Sequence, residues 1–182
     1  MTDLTGFHFG TGRNAWGPMM HISNFQHEIT RDIPQDLMWG TNNSLLPLFH
    51  LEDPEATELG QVVYSLGRCK PGMAVKELET WKSIYIAAPN VPAPVLRGIA
   101  RYAGVHLFSE AGDVLYATRD MLSVHTLSGG SRVFRLPERV EVVQDLYEDR
   151  IVAENTDVFE VTLSPGSTVL YYTGATKQML RR

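Results

Sequence analysis

Chemistry in this sequence would have to come from six histidines, one cysteine and a few acidic clusters. His8, His21, His27, His50, His106 and His125 are scattered. No His-Glu-x-x-His stretch occurs, and no two histidines stand four residues apart as paired ligands on one helix face would. The expectation is no metal site, with His106 and His125 as structural, hydrogen-bonded imidazoles. Cys69 lies in Leu66-Gly67-Arg68-Cys69-Lys70-Pro71-Gly72, flanked by two cations, the setting that favours a thiolate nucleophile. A nucleophile elbow places its side chain at a helix N-terminus, and Pro71-Gly72 followed by a further strand denies Cys69 that helix. Glycoside hydrolysis needs two carboxylates on opposite sides of one bond. The acidic groups here (Glu52 with Asp53 and Glu55, Glu77 with Glu79, Asp145 with Glu148 and Asp149) fall in turns or at strand ends, where such clusters are ordinarily solvated edges. Gly10-Thr11-Gly12-Arg13 has the glycines of a phosphate loop but lacks a preceding strand and a downstream Gly-Lys-Ser/Thr. No catalytic residue and no cofactor is assigned.

Ligand recognition has more to work with. Trp16, Trp39 and Trp81 offer aromatic faces for stacking on sugar rings, with His21, His27 and Glu77 as polar contacts. These six form the candidate ligand-binding set. Core or interface packing is the competing expectation for each tryptophan, and the favoured one for Trp81.

Short strands must position most of these residues. Up to about residue 90 the chain reads as strand candidates separated by Gly, Pro and Asn: Met19 to Phe25, Leu45 to Leu51, the glycine-bounded run 60–67, Met73 to Leu78 and Trp81 to Ala87. One helix is written locally, over 92–103. Val95, Leu96 and Ile99 share a face, prolines occupy the first turn, and Gly104 stands where a left-handed residue would end it. From Val105 the pattern changes to strands of about five residues: 105–108, 113–118, 121–127, 131–136, 140–143, 150–153, 159–163 and 168–172. Ser128-Gly129-Gly130-Ser131 signals a hairpin, and Pro165-Gly166 a second turn.

Composition sets the outer limits. The chain has 182 residues, 43% hydrophobic and 20% charged, with a formal charge of −5, so a globular core is expected and a basic nucleic-acid footprint is excluded. Its length is below the roughly 250 residues of a full (β/α)₈ barrel. One cysteine excludes an internal disulfide. No signal-like start and no stretch of about 18 apolar residues is present, which predicts a soluble, cytoplasmic chain without membrane partners.

The segment 83–106, Ser-Ile-Tyr-Ile-Ala-Ala-Pro-Asn-Val-Pro-Ala-Pro-Val-Leu-Arg-Gly-Ile-Ala-Arg-Tyr-Ala-Gly-Val-His, continuing through Gly112-Asp113-Val114-Leu115-Tyr116-Ala117, resembles the C-terminal region of large beta-galactosidase-like glycoside hydrolases. In that group a catalytic barrel is followed by a class I glutamine-amidotransferase-like trimerisation domain and a small β-domain. Gln26-His27-Glu28-Ile29-Thr30-Arg31-Asp32-Ile33-Pro34 and Gly60-Gln61-Val62-Val63-Tyr64-Ser65-Leu66-Gly67 resemble stretches of the middle domain, although Glu28 stands where that pattern has proline and Asp32 where it has glycine. The run 159–172 is similar to the terminal β-domain.

The resemblance implies an α/β, partial amidotransferase-like layer over 1–104, followed by a small all-β antiparallel sandwich over 105–176 and a flexible tail over 177–182. It carries no catalytic residue onto this chain, since the acid/base and nucleophile carboxylates belong to the barrel and Cys69 does not match the amidotransferase elbow. The function it implies is a non-catalytic accessory and oligomerisation module, partnered by copies of itself or by a glycosidase barrel. The alternatives are a carbohydrate or small-ligand binding module and an independent hydrolase acting through Cys69 or a carboxylate pair.

Overall fold

The protein is described by a computed structural model covering residues 2–13 and 15–176; the expected tail, 177–182, lies outside the described residues. In chain order the elements are α1 (Thr2–Thr5), β1 (Phe9–Gly12), β2 (Met19–Ile22), β3 (Met38–Gly40), β4 (Leu48–Leu51), β5 (Thr57–Tyr64), β6 (Arg68–Glu77), β7 (Lys82–Ile86), α2 (Ala93–Tyr102), β8 (Val114–Ala117), β9 (Met121–His125), β10 (Gly130–Asp145), β11 (Arg150–Leu163) and β12 (Thr168–Gly174). They form two compact units, one ending at Gly104 and the other beginning at Val105.

In the first unit five antiparallel strands form a sheet in the order β3-β2-β5-β6-β7. β6 alternates between two cores, because successive side chains of a strand point to opposite faces. Met73 and Val75 join Met20, Val62, Ile29 and Val95 in one cluster, while Ala74 packs with Phe7 and Leu51 in another. The first cluster lies beneath α2 and the 29–33 segment, and the second beneath the two-stranded ribbon of β1 and β4. α2 ends as its sequence dictates: Gly104 has φ +71° and donates its N–H to the Arg101 carbonyl at 2.9 Å. Gly98 lets the helix approach closely, since a Cβ there would lie 2.0 Å from the Ile29 carbonyl oxygen.

Lys76, on the Ala74 face, places its Nζ 3.0 Å from Asp53 Oδ2 and 3.0 Å from Glu55 Oε2. Asp53 also accepts the backbone N–H groups of His8 (3.1 Å) and Glu55 (3.0 Å). Burial pushes the Asp53 carboxyl up, but the Lys76 ammonium and the two N–H donors outweigh it and hold the group below its ordinary range.

The expected α/β, amidotransferase-like layer is not what the first unit forms. An α/β layer needs parallel strands joined by helical crossovers of a dozen or more residues. Here the pairings among the described strands are antiparallel, the β5–β6 and β6–β7 connections are short turns, and only α2 among the described helices exceeds one turn.

The second unit also departs from expectation. Its strands form one curled five-stranded sheet, β11-β10-β12-β9-β8, in place of a two-sheet sandwich. The eight short strands expected become five. Segments 131–136 and 140–143 merge into β10, segments 150–153 and 159–163 merge into β11, and 105–108 is not a strand. The merged strands bend where the register slips. Pairing advances from Arg135 to Val140 on β10 while β11 moves only from Val158 to Thr156, so β10 bulges around Pro137, a residue with no N–H to give the ladder. The bend lets one sheet close on its own apolar face. Phe134, Phe159 and Tyr171 meet there, with ring centroids 5.2, 5.3 and 6.2 Å apart.

The Ser128-Gly129-Gly130-Ser131 turn does not make a hairpin. β9 pairs with β12 and β8, and β10 with β11 and β12, so this loop carries the chain past β12. A buried ion pair anchors it. Arg132 donates from Nε to Asp113 Oδ2 at 2.6 Å and from Nη2 to the Ser128 carbonyl at 2.7 Å and Thr126 Oγ1 at 3.0 Å. Arg132 draws the Asp113 carboxyl below its ordinary range against the opposing effect of burial.

Candidate ligand-binding cleft

The first unit carries an open cleft of about 870 Å³, lined by Arg13, Trp16, Gly17, Asn42, Ser65, Leu66 and Arg68. Three short segments build it, tied together by hydrogen bonds of the Ala15 and Trp16 backbone. The Trp16 N–H donates to Ser65 Oγ at 2.9 Å and the Ser65 N–H returns to the Trp16 carbonyl at 3.1 Å. One residue earlier, Ala15 bridges to Leu45, whose N–H donates to its carbonyl at 3.0 Å. Trp16 is thereby held between the β5–β6 turn and the segment leading to β4. Its side chain gains no burial from this, and the residue is 72% exposed.

The β5–β6 turn is backbone-strained. Ser65, Leu66 and Gly67 all have positive φ, at 37°, 63° and 84°. Glycine adopts such values freely, whereas a leucine there is crowded by its own Cβ. Leu66 nonetheless sits at the tip with its side chain fully in solvent. Arg13 follows β1 and Arg68 begins β6, and both line the cleft with the tryptophan. Neither forms an ion pair or side-chain hydrogen bond among the described residues, and no carboxylate lines the cleft.

Of the six residues expected to bind ligand, only Trp16 reaches this cleft. Trp39 is buried on β3 in the main core, with its indole N–H unpartnered. Trp81 stands half-exposed in the turn before β7. His21 lies within β2, between Met38 and Gln61 of the flanking strands. His27 and Glu77 come together elsewhere, through Tyr102. The His27 ring packs edge-on against Tyr102 at 5.2 Å, the Tyr102 hydroxyl donates to Glu77 Oε1, and Lys82 Nζ sits 3.4 Å from that oxygen and 3.9 Å from the Tyr102 ring centre. The Tyr102 hydroxyl, then Lys82, holds the Glu77 carboxyl below its ordinary range, and burial followed by Glu77 raises Tyr102. This tie links α2 to the β6–β7 turn at the surface.

The other candidates are accounted for by local structure. Cys69 is an exposed residue within β6, opposite Val63, and its thiol donates to Gln61 Oε1 at 2.9 Å. Gly10, Thr11 and Gly12 are paired strand residues of β1, opposite His50, Phe49 and Leu48, so they form no phosphate loop. His106 Nε2 lies 2.8 Å from the Arg135 carbonyl and His125 Nδ1 2.8 Å from Thr168 Oγ1. Arg68, Leu66 and Asn42 were invisible as site residues in the sequence; the one signal was an apolar residue inside a glycine-bounded turn.

No family model and no curated protein sequence matches this chain. Solved structures do. The beta-galactosidase from Bacillus circulans sp. alkalophilus aligns over 95% of this chain with TM-score 0.51 and 13% identity. The cold-adapted beta-galactosidase from Rahnella sp. R3 aligns over 91% with TM-score 0.52 and 9% identity. Gan42B, a GH42 beta-galactosidase from G. stearothermophilus, aligns over 95% with TM-score 0.55 and 11% identity. At such identities the likeness is one of fold. This chain spans about a quarter of each of those chains, 25%, 24% and 25% respectively. No helix among the described residues is long and apolar enough to cross a membrane.

Proposed function

We propose that this chain is a non-catalytic accessory and assembly module of a beta-galactosidase-like glycoside hydrolase. The observation that carries the reading is a fold likeness running through both units, over more than nine-tenths of the chain, to a quarter-length portion of beta-galactosidases. Its carboxylates support the same reading: Asp53 is engaged by Lys76, Asp113 by Arg132 and Glu77 by Tyr102, which leaves these groups in structural ties. The partner is a second copy of the chain or a glycosidase barrel. Sedimentation at micromolar concentration, alone and with a GH42-type barrel added, tests it. Self-association or a stoichiometric complex is expected; a monomer that ignores the barrel would refute the proposal.

A second reading, a carbohydrate-binding module, is favoured by one observation: an exposed tryptophan whose backbone is held by Ser65 at the edge of an open cleft. Pockets of about 300–1,000 Å³ are the size that small ligands use. Titration with galactosides and glucosides, followed by tryptophan fluorescence in the Trp16→Ala background as control, tests it. No response at millimolar sugar would remove this reading.

A further inference from the structure

The cleft beside Trp16 is electrostatically at odds with the rest of the chain. The protein carries a formal charge of −5, yet among the described residues this cleft is lined by two arginines and no acid. Two like charges lining one concave surface disfavour each other; both arginines are exposed, whereas the buried cations Lys76 and Arg132 meet carboxylates, Asp53 with Glu55 and Asp113 respectively. Arg13 and Arg68 have none among the described residues. The exposed Trp16 lines the same cleft, with Asn42 supplying an amide.

We infer that this cleft takes an anionic saccharide, a pyranose bearing a carboxylate or sulfate, with its ring face on Trp16 and its charge between Arg13 and Arg68. The inference rests on the carbohydrate-binding reading and adds the class of sugar. Guanidiniums pair with carboxylate and sulfate oxygens through parallel N–H donors, while an indole face accepts the apolar face of a sugar ring. A nucleotide fits less well. The glycine-containing 10–12 segment is paired strand, so no loop of free backbone N–H groups leads into a helix N-terminus to hold a phosphate. No second aromatic residue among the described residues lines the cleft to sandwich a base.

The test uses the full chain and calorimetric titration with digalacturonate, its neutral counterpart galactobiose, a nucleoside monophosphate and inorganic sulfate, at low and at high salt. Digalacturonate is expected to bind at least tenfold more tightly than galactobiose, and to weaken as salt rises. Arg13→Gln and Arg68→Gln are each expected to weaken it about tenfold, the loss of one charge-assisted contact. Trp16→Ala should abolish it. All three residues are exposed, and unchanged thermal midpoints would show that the variants remain folded.

Equal binding of galactobiose and digalacturonate, lost in Trp16→Ala, would overturn the anionic class while leaving a sugar cleft standing. Absence of binding by either would overturn both. Sulfate or the nucleotide binding as tightly as digalacturonate, whatever stands at position 16, would overturn the saccharide assignment.

Discussion

Replacing Arg132 by alanine isolates the feature on which the second unit most depends. Arg132 and Asp113 are both buried, with side chains 8% and 5% exposed. The guanidinium also holds the 126–131 loop through Thr126 and Ser128. Removing it leaves the Asp113 carboxylate in the interior without its counter-charge, which typically costs about 3–5 kcal/mol. With a urea slope of about 1–2 kcal/mol/M, the midpoint should fall by about 1.5–5 M. The three tryptophans all precede Gly104, so their fluorescence does not report on this unit. Far-ultraviolet circular dichroism and amide exchange at 126–131 are the appropriate readouts. Converting both partners to apolar residues, Arg132→Met with Asp113→Leu, should recover much of the loss, because no charge is then stranded. Arg119→Ala is the control. That side chain is 91% exposed and 4.0 Å from Asp120, so less than about 1 kcal/mol is expected.

The pair also fixes a pH dependence. Arg132 holds the folded-state pKa of Asp113 below its unfolded value, so its stabilisation is complete above the ordinary carboxylate range and is lost as pH falls below about 4. Arg132→Ala should flatten that acid slope. If the single variant cost under about 1 kcal/mol and kept the slope, the pair would be worth no more than a surface contact, and the account of the loop would be wrong.

Two further substitutions probe the first unit. Gly98→Ala drives a methyl group into the Ile29 carbonyl, and overpacking of this kind should destabilise by about 1–3 kcal/mol, read as a lower tryptophan-fluorescence midpoint. Leu66→Gly should stabilise by about 1 kcal/mol, since it relieves a left-handed leucine whose side chain touches nothing, and a lower thermal midpoint would show that Leu66 has a supporting contact.

Legibility in the sequence followed burial. α2 could be read almost to the residue because its start and stop are local, prolines in the first turn and Gly104 at the end; Val95 and Ile99 turn inward as expected, whereas Leu96, expected on the same face, is exposed. The first half of β6 could not be read. Arg68, Cys69 and Lys70 are exposed strand residues and Pro71 and Gly72 follow them, so no period-two pattern marks a segment that backbone pairing to β5 alone makes extended. The long strands β10 and β11 were cut in two for the opposite reason, since Pro137 and the polar 154–157 run looked like loops although pairing continues past both.

The α/β expectation failed at a different level. The β5–β6 and β6–β7 turns are too short for a crossover, so those neighbours must be antiparallel, and β2–β3, joined by a longer segment, is antiparallel as well. The portion of the resemblance that the structure supports is the coarser one, to beta-galactosidase chains. The cleft follows the same logic from the other side. Arg13, Asn42 and Arg68 are separated by 29 and 26 positions in the chain, and no periodicity links them. What gathers them is pairing of the Trp16 backbone with the Ser65 N–H and hydroxyl and of Ala15 with Leu45; apart from the Ser65 hydroxyl these are main-chain bonds, which leave no trace in residue type. A strained leucine in a tight turn and two arginines without acids are therefore the features by which such a site is found in the folded chain.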